Sequence, residues 1–266
     1  MINLKKINDL NVHPIETQNN LSKTINLDKS INSIKIKKFL KKNFFESKTN
    51  IMIMNEKIIS NNKEVKSIEN IKKENKNLEF TYLVDFNNIK KTISVIKNNK
   101  SIKRIKFHSY FQKISKKNYK NIIEICKFAE ERNISILVDA SYGTLMMNKY
   151  DNIDLIISIA DKIKKTPIII LHSGGININK ALLIAVMQNN IFLETSFTMT
   201  WFKGSRIWDD LFFAYKKIGF DKIIYASDSP YIKKEESFRD FLKFSRKYKI
   251  SKLDVNKMLK TNYLKV

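Results

Sequence analysis

The sequence predicts an α/β protein in which a single (β/α)8 barrel domain occupies residues 1–266. Three observations predict this fold. Short β-branched runs alternate with longer amphipathic stretches, eight such units fit into the chain, and polar residues follow most of the predicted strands. A doubly wound open sheet is the alternative. It is less favoured because no glycine-rich phosphate-binding turn follows the first strand.

The first half of the chain supplies four of the eight units. Its β-branched and apolar runs predict strands over residues 7–12, 50–54, 78–84 and 102–107. Helical spacing of apolar residues predicts helices over residues 31–45, 88–97 and 118–132. Residues 16–29 are interpreted as a polar connection, and residues 63–76 as a polar helix or a loop.

The second half repeats the same alternation more clearly. Strands are predicted over residues 134–138, 167–171, 191–193 and 222–226. Helices are predicted over residues 153–163, 179–188, 207–218, 235–248 and 255–259. Strand–helix units repeated at this spacing indicate parallel strands joined by right-handed crossovers.

The net charge of +24 suggests an anionic partner, but its distribution favours another interpretation. Lysine, asparagine and isoleucine are abundant along the whole chain, and no RNP-type aromatic motif or zinc-finger spacing occurs. We therefore expect no nucleic-acid partner, a charge spread over the outer helices, and a barrel mouth that is less basic than the surface. No apolar run approaches 18 residues and the first ten residues contain no apolar signal region, so no membrane association is expected.

The single cysteine, Cys126, excludes an internal disulfide framework and any cysteine-based zinc cluster. It lies within a predicted amphipathic helix and is interpreted as a core residue. A reducing, cytoplasmic location is the expectation. A homo-oligomer is compatible with the sequence.

The candidate site consists of the polar residues at the strand ends, where (β/α)8 barrels carry their chemistry. All three histidines of the chain fall there, together with two aspartates and an asparagine: Asn11, His13, His108, Asp139, His172 and Asp228. Imidazole and carboxylate groups that converge on one mouth are typical ligands of a divalent metal. Such a metal lowers the pKa of a bound water to about 7 and so produces a hydroxide nucleophile.

Several of these segments resemble the amidohydrolase-related metal-dependent hydrolases. Residues 7–14, Ile-Asn-Asp-Leu-Asn-Val-His-Pro, resemble that family's first-strand Asp-x-His-x-His motif. Residues 168–175 are similar to its sixth-strand His-x-Gly-Gly turn, and residues 223–230 to its eighth-strand Gly-Ser-Asp-x-Pro motif. Weaker matches cover residues 102–108, 193–196 and 258–262. The resemblance spans nearly the whole chain and is most specific over residues 167–231.

The resemblance implies a mononuclear or binuclear metal barrel that acts on C–N or C–O bonds or, in a decarboxylase branch, on C–C bonds. It implies zinc, or manganese, held by His13, Asp228, Asp139, His172 and Asn11. Two of these positions depart from the family pattern, because Asn11 replaces the first histidine and Asp139 stands where a fifth-strand histidine is expected. Asparagine is a poor zinc ligand and aspartate an acceptable one. A rearranged site, a harder metal and the absence of a metal therefore stay open.

The resulting hypothesis is a metal-dependent hydrolase of a small polar substrate. Asp228 would accept the proton of the attacking water, and His172 would stabilise the developing negative charge. Substrate would be bound by His108, Lys106, Tyr142 and Trp201. A decarboxylase or lyase on the same barrel, and a non-catalytic binding protein with a degenerate metal site, are the alternatives.

Some of these residues also have a purely structural interpretation. Asp139 is equally suited to capping a helix or turn. Tyr142, Trp201 and Tyr231 follow strand ends and could line a pocket, but plain packing is the more common role of aromatic side chains. Lys106 is interpreted as an exposed lysine, with a carboxylated bridging ligand as the alternative.

Overall fold

The computed structural model describes residues 4–16, 20–43, 45–142, 144–150 and 152–266, and it confirms the predicted barrel. Eight parallel strands lie in the order of the sequence. They are β1 (Asp9–Val12), β2 (Thr49–Ile53), β3 (Leu78–Leu83), β4 (Arg104–Phe107), β5 (Ser135–Val138), β6 (Ile168–Ile170), β7 (Ile191–Glu194) and β8 (Ile223–Ile224). Their carboxyl ends therefore share one mouth.

The barrel is closed by the segment that follows β8. The backbone N–H of Asp228 donates to the carbonyl of Asn11 over 2.9 Å, and the N–H of His13 donates to the carbonyl of Ser229 over 2.7 Å. Val12 and Ser229 form a parallel bridge. These bonds fix the end of β1 beside the segment after β8, so the first and last site segments are direct neighbours.

Long helices surround the strands, and short helices lie in the loops between them. The longer helices are α1 (Leu21–Lys29), α2 (Ser33–Lys42), α3 (Asn62–Glu74), α4 (Ile89–Asn98), α6 (Tyr119–Glu131), α8 (Ile153–Lys162), α9 (Ile178–Met187), α11 (Ile207–Ile218) and α12 (Lys234–Lys247). The short ones are α5 (Ser109–Gln112), α7 (Leu145–Lys149), α10 (Thr198–Trp201) and α13 (Lys252–Asn256). No helix among the described residues is long and apolar enough to cross a bilayer.

In the first half the structure corrects one expectation and decides between the two alternatives left open for another segment. Residues 21–29, interpreted as part of a polar connection, form α1, whose first turn is capped by the Asn20 side chain. Apolar periodicity did not reveal this helix because the buried residues on it include the polar Thr24 and Asp28. The uncertain segment 63–76 is the helix α3, which buries Val65, Ile68 and Ile71.

The core has two layers. Side chains such as Leu10, Met52, Leu137 and Ile169 fill the inside of the barrel. A larger cluster lies between the strands and the helices and includes Cys126, as predicted. Because parallel strands are covered on both faces, their sequences are apolar in nearly continuous runs.

Strand β4 departs from that apolar pattern with Arg104 and Lys106, which lie on the same face because side chains alternate along a strand. Arg104, at the amino end, donates from Nη2 to the carbonyl oxygen of Val266 over 2.5 Å. Lys106, near the carboxyl end, is 1% exposed, so the expectation of an exposed lysine is wrong. It extends instead toward the mouth of the barrel.

Candidate active site

A cavity of about 160 Å³ lies at the mouth, and most of the predicted site residues line it. His13, Lys106, His108, Asp139, His172 and Asp228 are all buried side chains that contribute to its surface. Trp201 and Tyr231 lie at its wall with Ile25, Phe111, Met147 and Phe197. A cavity of this size is comparable to one that holds a single benzene ring, which indicates a small ligand.

Two predicted site residues do not line the cavity. Asn11 is fully buried beneath it and acts on Asp228 through a hydrogen bond. Tyr142 accepts a hydrogen bond from the backbone N–H of Asn152 and packs beside Gly175. Both therefore contact the residues that shape the site, whereas Trp201 and Lys106 reach the cavity directly.

The first cluster of charges is built around Asp139, after β5. Its Oδ2 lies 3.3 Å from Lys106 Nζ, 3.1 Å from His172 Nε2 and 3.4 Å from His108 Nε2. Its Oδ1 accepts hydrogen bonds from the backbone and hydroxyl of Ser141. The Asp139 carboxylate is thus contacted by side chains on or directly after strands β4 and β6 and by Ser141 in its own loop.

Burial alone would raise the pKa of Asp139, but His108, His172 and Lys106 hold it well below its usual range. Burial alone would lower the pKa of His172, yet the Asp139 carboxylate raises it to about 9. Burial lowers the pKa of His108 by more than the attraction of Asp139 raises it, and repulsion from Lys106 lowers it further, to about 3. At neutral pH Asp139 is therefore a carboxylate, His172 an imidazolium and His108 a neutral imidazole.

The second cluster lies on the opposite side of the barrel, where β1 meets the segment after β8. His13 Nδ1 is 2.6 Å from Asp28 Oδ2, and His13 Nε2 is 3.4 Å from Asp228 Oδ1. Asn11 Nδ2 donates to the same Oδ1 of Asp228 over 3.1 Å. Burial lowers the pKa of His13, but the carboxylates of Asp28 and Asp228 together raise it to about 9.

Asp28 is a site residue that the sequence reasoning missed. It lies near the end of α1 and is fully buried, and it also accepts a hydrogen bond from the Tyr231 hydroxyl over 3.0 Å. The Tyr231 ring packs edge-on against His13 with 4.9 Å between centroids. The sequence pattern did not identify this aspartate, because the helix that carries it was itself not predicted.

The loop after β6 places His172 by an unusual backbone path. His172, Ser173 and Gly174 have φ of 58°, 52° and 83°, and Gly175 has φ of 56°. A Cβ on Gly174 would meet the Ala181 Cβ at 2.9 Å, and one on Gly175 would meet the Tyr142 ring at 2.9 Å. The two glycines therefore permit a turn that other residues would obstruct.

Glu194 and Ser196, from the end of β7, support His172 from below. The Ser196 hydroxyl donates to Glu194 Oε2 over 2.8 Å and lies 3.0 Å from His172 Nδ1. Glu194 also accepts the backbone N–H of His172 over 3.2 Å. Burial raises the pKa of Glu194 to about 7. These contacts fix the ring of His172 with Nε2 directed at Asp139.

The donor set does not fit the metal that the family resemblance implies. No group of three or more histidine, cysteine, aspartate or glutamate side chains in the described part of the chain is arranged to hold a metal ion. The five predicted ligands instead divide between the two clusters. Asn11 directs its NH2 group, a hydrogen-bond donor, at Asp228, and the Lys106 ammonium occupies a side of Asp139 where a cation would bind.

These features define a (β/α)8 barrel whose mouth is lined by histidines and carboxylates from the segments that follow five of its strands. The amidohydrolase family matches residues 101–266, which is more than half of the chain. The protein therefore belongs to the amidohydrolase family, as its motifs predicted. Comparison with curated proteins finds no match.

Solved structures share the fold at low sequence identity. A protein from Acinetobacter baumannii described as a probable 2-pyrone-4,6-dicarboxylic acid hydrolase, with citric acid bound, is 13% identical with a TM-score of 0.63, and the match covers 97% of each chain. A dihydroxybenzoic acid decarboxylase from a Polaromonas species, with manganese and an inhibitor bound, is 10% identical with a TM-score of 0.62, covering 97% of this chain and 95% of that one.

Zinc is bound in a third structure, an amidohydrolase from Burkholderia multivorans. It is 10% identical with a TM-score of 0.60, and the match covers 82% of this chain and 81% of that one. The structures that share this barrel thus include hydrolases and decarboxylases, and some of them bind a divalent metal.

Proposed function

We propose that this protein is a hydrolase of a small ester or amide in which charges of the chain itself, and no bound metal, activate water and substrate. The observation that carries the proposal is the placement of two opposed clusters around one small cavity. Asp228 and His13 lie where β8 meets β1, and Lys106 and His172 lie across the barrel at β4 and β6. The Asp228 carboxylate, which can act as a base, therefore lies across the cavity from Lys106 and His172, with room for one small substrate between them.

In this proposal Asp228 takes the proton of the attacking water. The carboxylate lines the cavity, and Asn11 and His13 hold its Oδ1, which fixes the orientation of the group. The resulting hydroxide attacks the carbonyl carbon, and the C–O or C–N bond to the leaving group then breaks. Removal of a proton by a positioned carboxylate contributes about 10²–10⁴-fold to such reactions.

The opposite cluster stabilises the negative charge that develops on the carbonyl oxygen. Lys106 Nζ and His172 Nε2 lie 3.3 Å and 3.1 Å from Asp139 Oδ2, and the Asp139 carboxylate raises the pKa of His172 to about 9. The His172 imidazolium can also return a proton to the leaving group. Preorganised charge in a site that excludes water supplies a large part of catalysis in many enzymes. In this proposal Lys106 and His172 take the place of the zinc or manganese that is bound in some structures with this fold.

The test compares two cavity variants with one matched control. D228N and K106M should each lower turnover of small esters and lactones, including 2-pyrone-4,6-dicarboxylate, by at least about 100-fold. D85N is the control, because Asp85 also follows a barrel strand, β3, but is engaged in its own loop, where Oδ1 accepts from the N–H of Asn87. Full activity in D228N, or activity that is removed by a chelator and restored by zinc, would contradict the proposal.

Decarboxylation of a small planar acid is the second candidate, and the cavity wall favours it. Phe111, Phe197 and Trp201 present apolar rings beside the polar floor, with Phe197 and Trp201 stacked at 5.3 Å. An apolar wall disfavours a bound carboxylate and so promotes loss of CO2. Release of CO2 from 2,6-dihydroxybenzoate, with no hydrolysis of the esters, would replace the first candidate by this one.

A further inference from the structure

The outer face of α9 is apolar, which is unusual for a helix on the surface of a barrel. Its inward side buries Ile178, Ala181, Leu182 and Ala185, as an outer helix should. Its outward side nevertheless carries Leu183, Val186 and Met187, which are 68%, 51% and 80% exposed. Surface helices normally present polar residues to water, so a helix that is apolar on both sides indicates a second contact.

The two helices that pack against α9 also carry exposed apolar residues. Ile157 on α8 is 49% exposed and Phe213 on α11 is 57% exposed, and both helices pack against α9. We call these five residues, Ile157, Leu183, Val186, Met187 and Phe213, the α9 face. Exposed apolar patches of this kind mark interaction sites in folded proteins.

The charge of the protein is distributed unevenly around the barrel, and the α9 face lies in a neutral region. Helices α8, α9 and α11 contain four aspartates and four lysines, so their net charge is zero. Helices α1 to α4 contain fourteen lysines and four acidic residues, a net charge of +10. Among these outer helices the excess of lysine is therefore concentrated on α1 to α4.

We propose that the α9 face binds a second copy of this chain and that the protein is a two-fold symmetric dimer. Two copies that each carry a charge of +24 repel one another, and they repel least where the surface is neutral. Helix α9 follows β6, whereas α1 to α4 follow β1 to β3 on the other side of the barrel. Contact through α9 therefore keeps the two lysine-rich sides far apart.

The size of the face is consistent with a contact of this kind. A standard interface takes roughly 800 Å² from each partner, which is more than five partly exposed side chains supply, so the contact would also include the polar residues around the α9 face. Leu183 lies near the middle of α9, so helices crossing on a two-fold axis would bring this residue to the centre. The face lies on the side of the barrel, and a dimer therefore leaves the cavity at the mouth open.

Other partners fit this surface less well. An anionic membrane or a nucleic acid would be drawn to a lysine-rich side, and the helices around the α9 face have no excess of lysine. An acidic protein would be drawn to the same lysine-rich side. Neutral and apolar character together favour a copy of the same chain.

Sedimentation velocity on the full-length protein over a range of concentrations tests the proposal. The wild type should be a dimer, and the double variant L183E/M187E should raise the dissociation constant at least about 100-fold. The matched control is I34E/L253E, which places the same charges on residues 75% and 67% exposed on α2 and α13. This control should remain a dimer, and both variants should retain the wild-type circular dichroism spectrum.

A second measurement uses the wild type and does not depend on the folding of a variant. Peroxide oxidation of Met187 should slow markedly as the protein concentration rises through the dimerisation range, because the dimer buries its thioether. A wild type that is monomeric at every concentration would overturn the proposal. So would a dimer that survives L183E/M187E, or a monomer whose binding to vesicles of anionic phospholipid is lost in that variant.

Discussion

Replacement of Asp28 by asparagine isolates the contribution of a buried charge pair to both stability and site geometry. The D28N side chain keeps the size of the carboxylate and can still accept hydrogen bonds from His13 and from the Tyr231 hydroxyl. It removes only the negative charge that lies 2.6 Å from His13 Nδ1. Burial then acts on the His13 ring with Asp228 as its remaining anionic neighbour, so we expect the pKa of His13 to fall.

The size of the effect follows from the pKa of His13, which rises from 6.5 to about 9 on folding. That difference corresponds to about 3 kcal/mol of net stabilisation of the charged ring, the balance of burial against the attraction of Asp28 and Asp228. Since the folded pKa is the higher one, this stability is complete below pH 6.5 and is lost as the pH rises toward 9. D28N should therefore be up to about 3 kcal/mol less stable than the wild type at pH 6, and the difference should shrink by pH 9.

Urea denaturation of D28N and wild type between pH 6 and 9 measures this difference, and NMR titration of the three histidine rings measures the pKa directly. D154N is the matched control, because Asp154 on α8 is a half-exposed aspartate that pairs with Lys116 on the surface. It should leave stability within about 0.5 kcal/mol of the wild type. A wild-type His13 pKa at or below 6.5, or identical pH profiles for D28N and wild type, would refute the reasoning.

Three further predictions concern the donor set and the loops. Purified wild type should hold no stoichiometric zinc, whereas N11H should gain zinc because it adds an imidazole beside His13 and Asp228. Metal analysis of both proteins tests this prediction, and stoichiometric metal in the wild type would contradict it. G175A should lose about 2–4 kcal/mol in a urea titration, since its Cβ would lie 2.9 Å from the Tyr142 ring at a φ of +56°, whereas G204A, with nothing within 4 Å, should lose only about 1 kcal/mol from its backbone. For Glu194 the folded pKa of about 7 exceeds the ordinary 4.5, so wild-type stability should fall between pH 4.5 and 7; E194Q should abolish that part of the slope, and equal slopes would exclude it.

Sequence reasoning located the barrel because the eight strand runs are apolar on both faces and are separated by helices of regular length. It located the histidines of the mouth because a parallel barrel brings all carboxyl strand ends to one side. It missed α1, whose buried side includes the polar Thr24 and Asp28, and with it the partner of His13. When the buried side chains of a helix are polar, the sequence shows no apolar periodicity from which the helix could be predicted.

Lys106 is a second residue whose surroundings could not be predicted from the sequence. A lysine flanked by charged and apolar residues on a strand is usually exposed, so the sequence made Lys106 a site candidate without showing that its side chain is buried. Only the pairing of β4 with β5 places its ammonium 3.3 Å from Asp139, where the ion pair makes burial tolerable. The departures at Asn11 and Asp139 were visible in the sequence, but their consequence depends on which partners the fold supplies.

The sequence by itself determined the family, the barrel and the set of polar groups at its mouth, because each depends on local patterns: strand runs, helix periods and short motifs such as residues 168–175. The tertiary structure decided which of these groups meet. Asp28 reaches His13 from a helix 15 residues further on, and Lys106 reaches Asp139 from the adjacent strand 33 residues earlier. Charges separated along the chain interact only once the fold removes water between them, and their pKa values therefore belong to the folded barrel and not to the sequence.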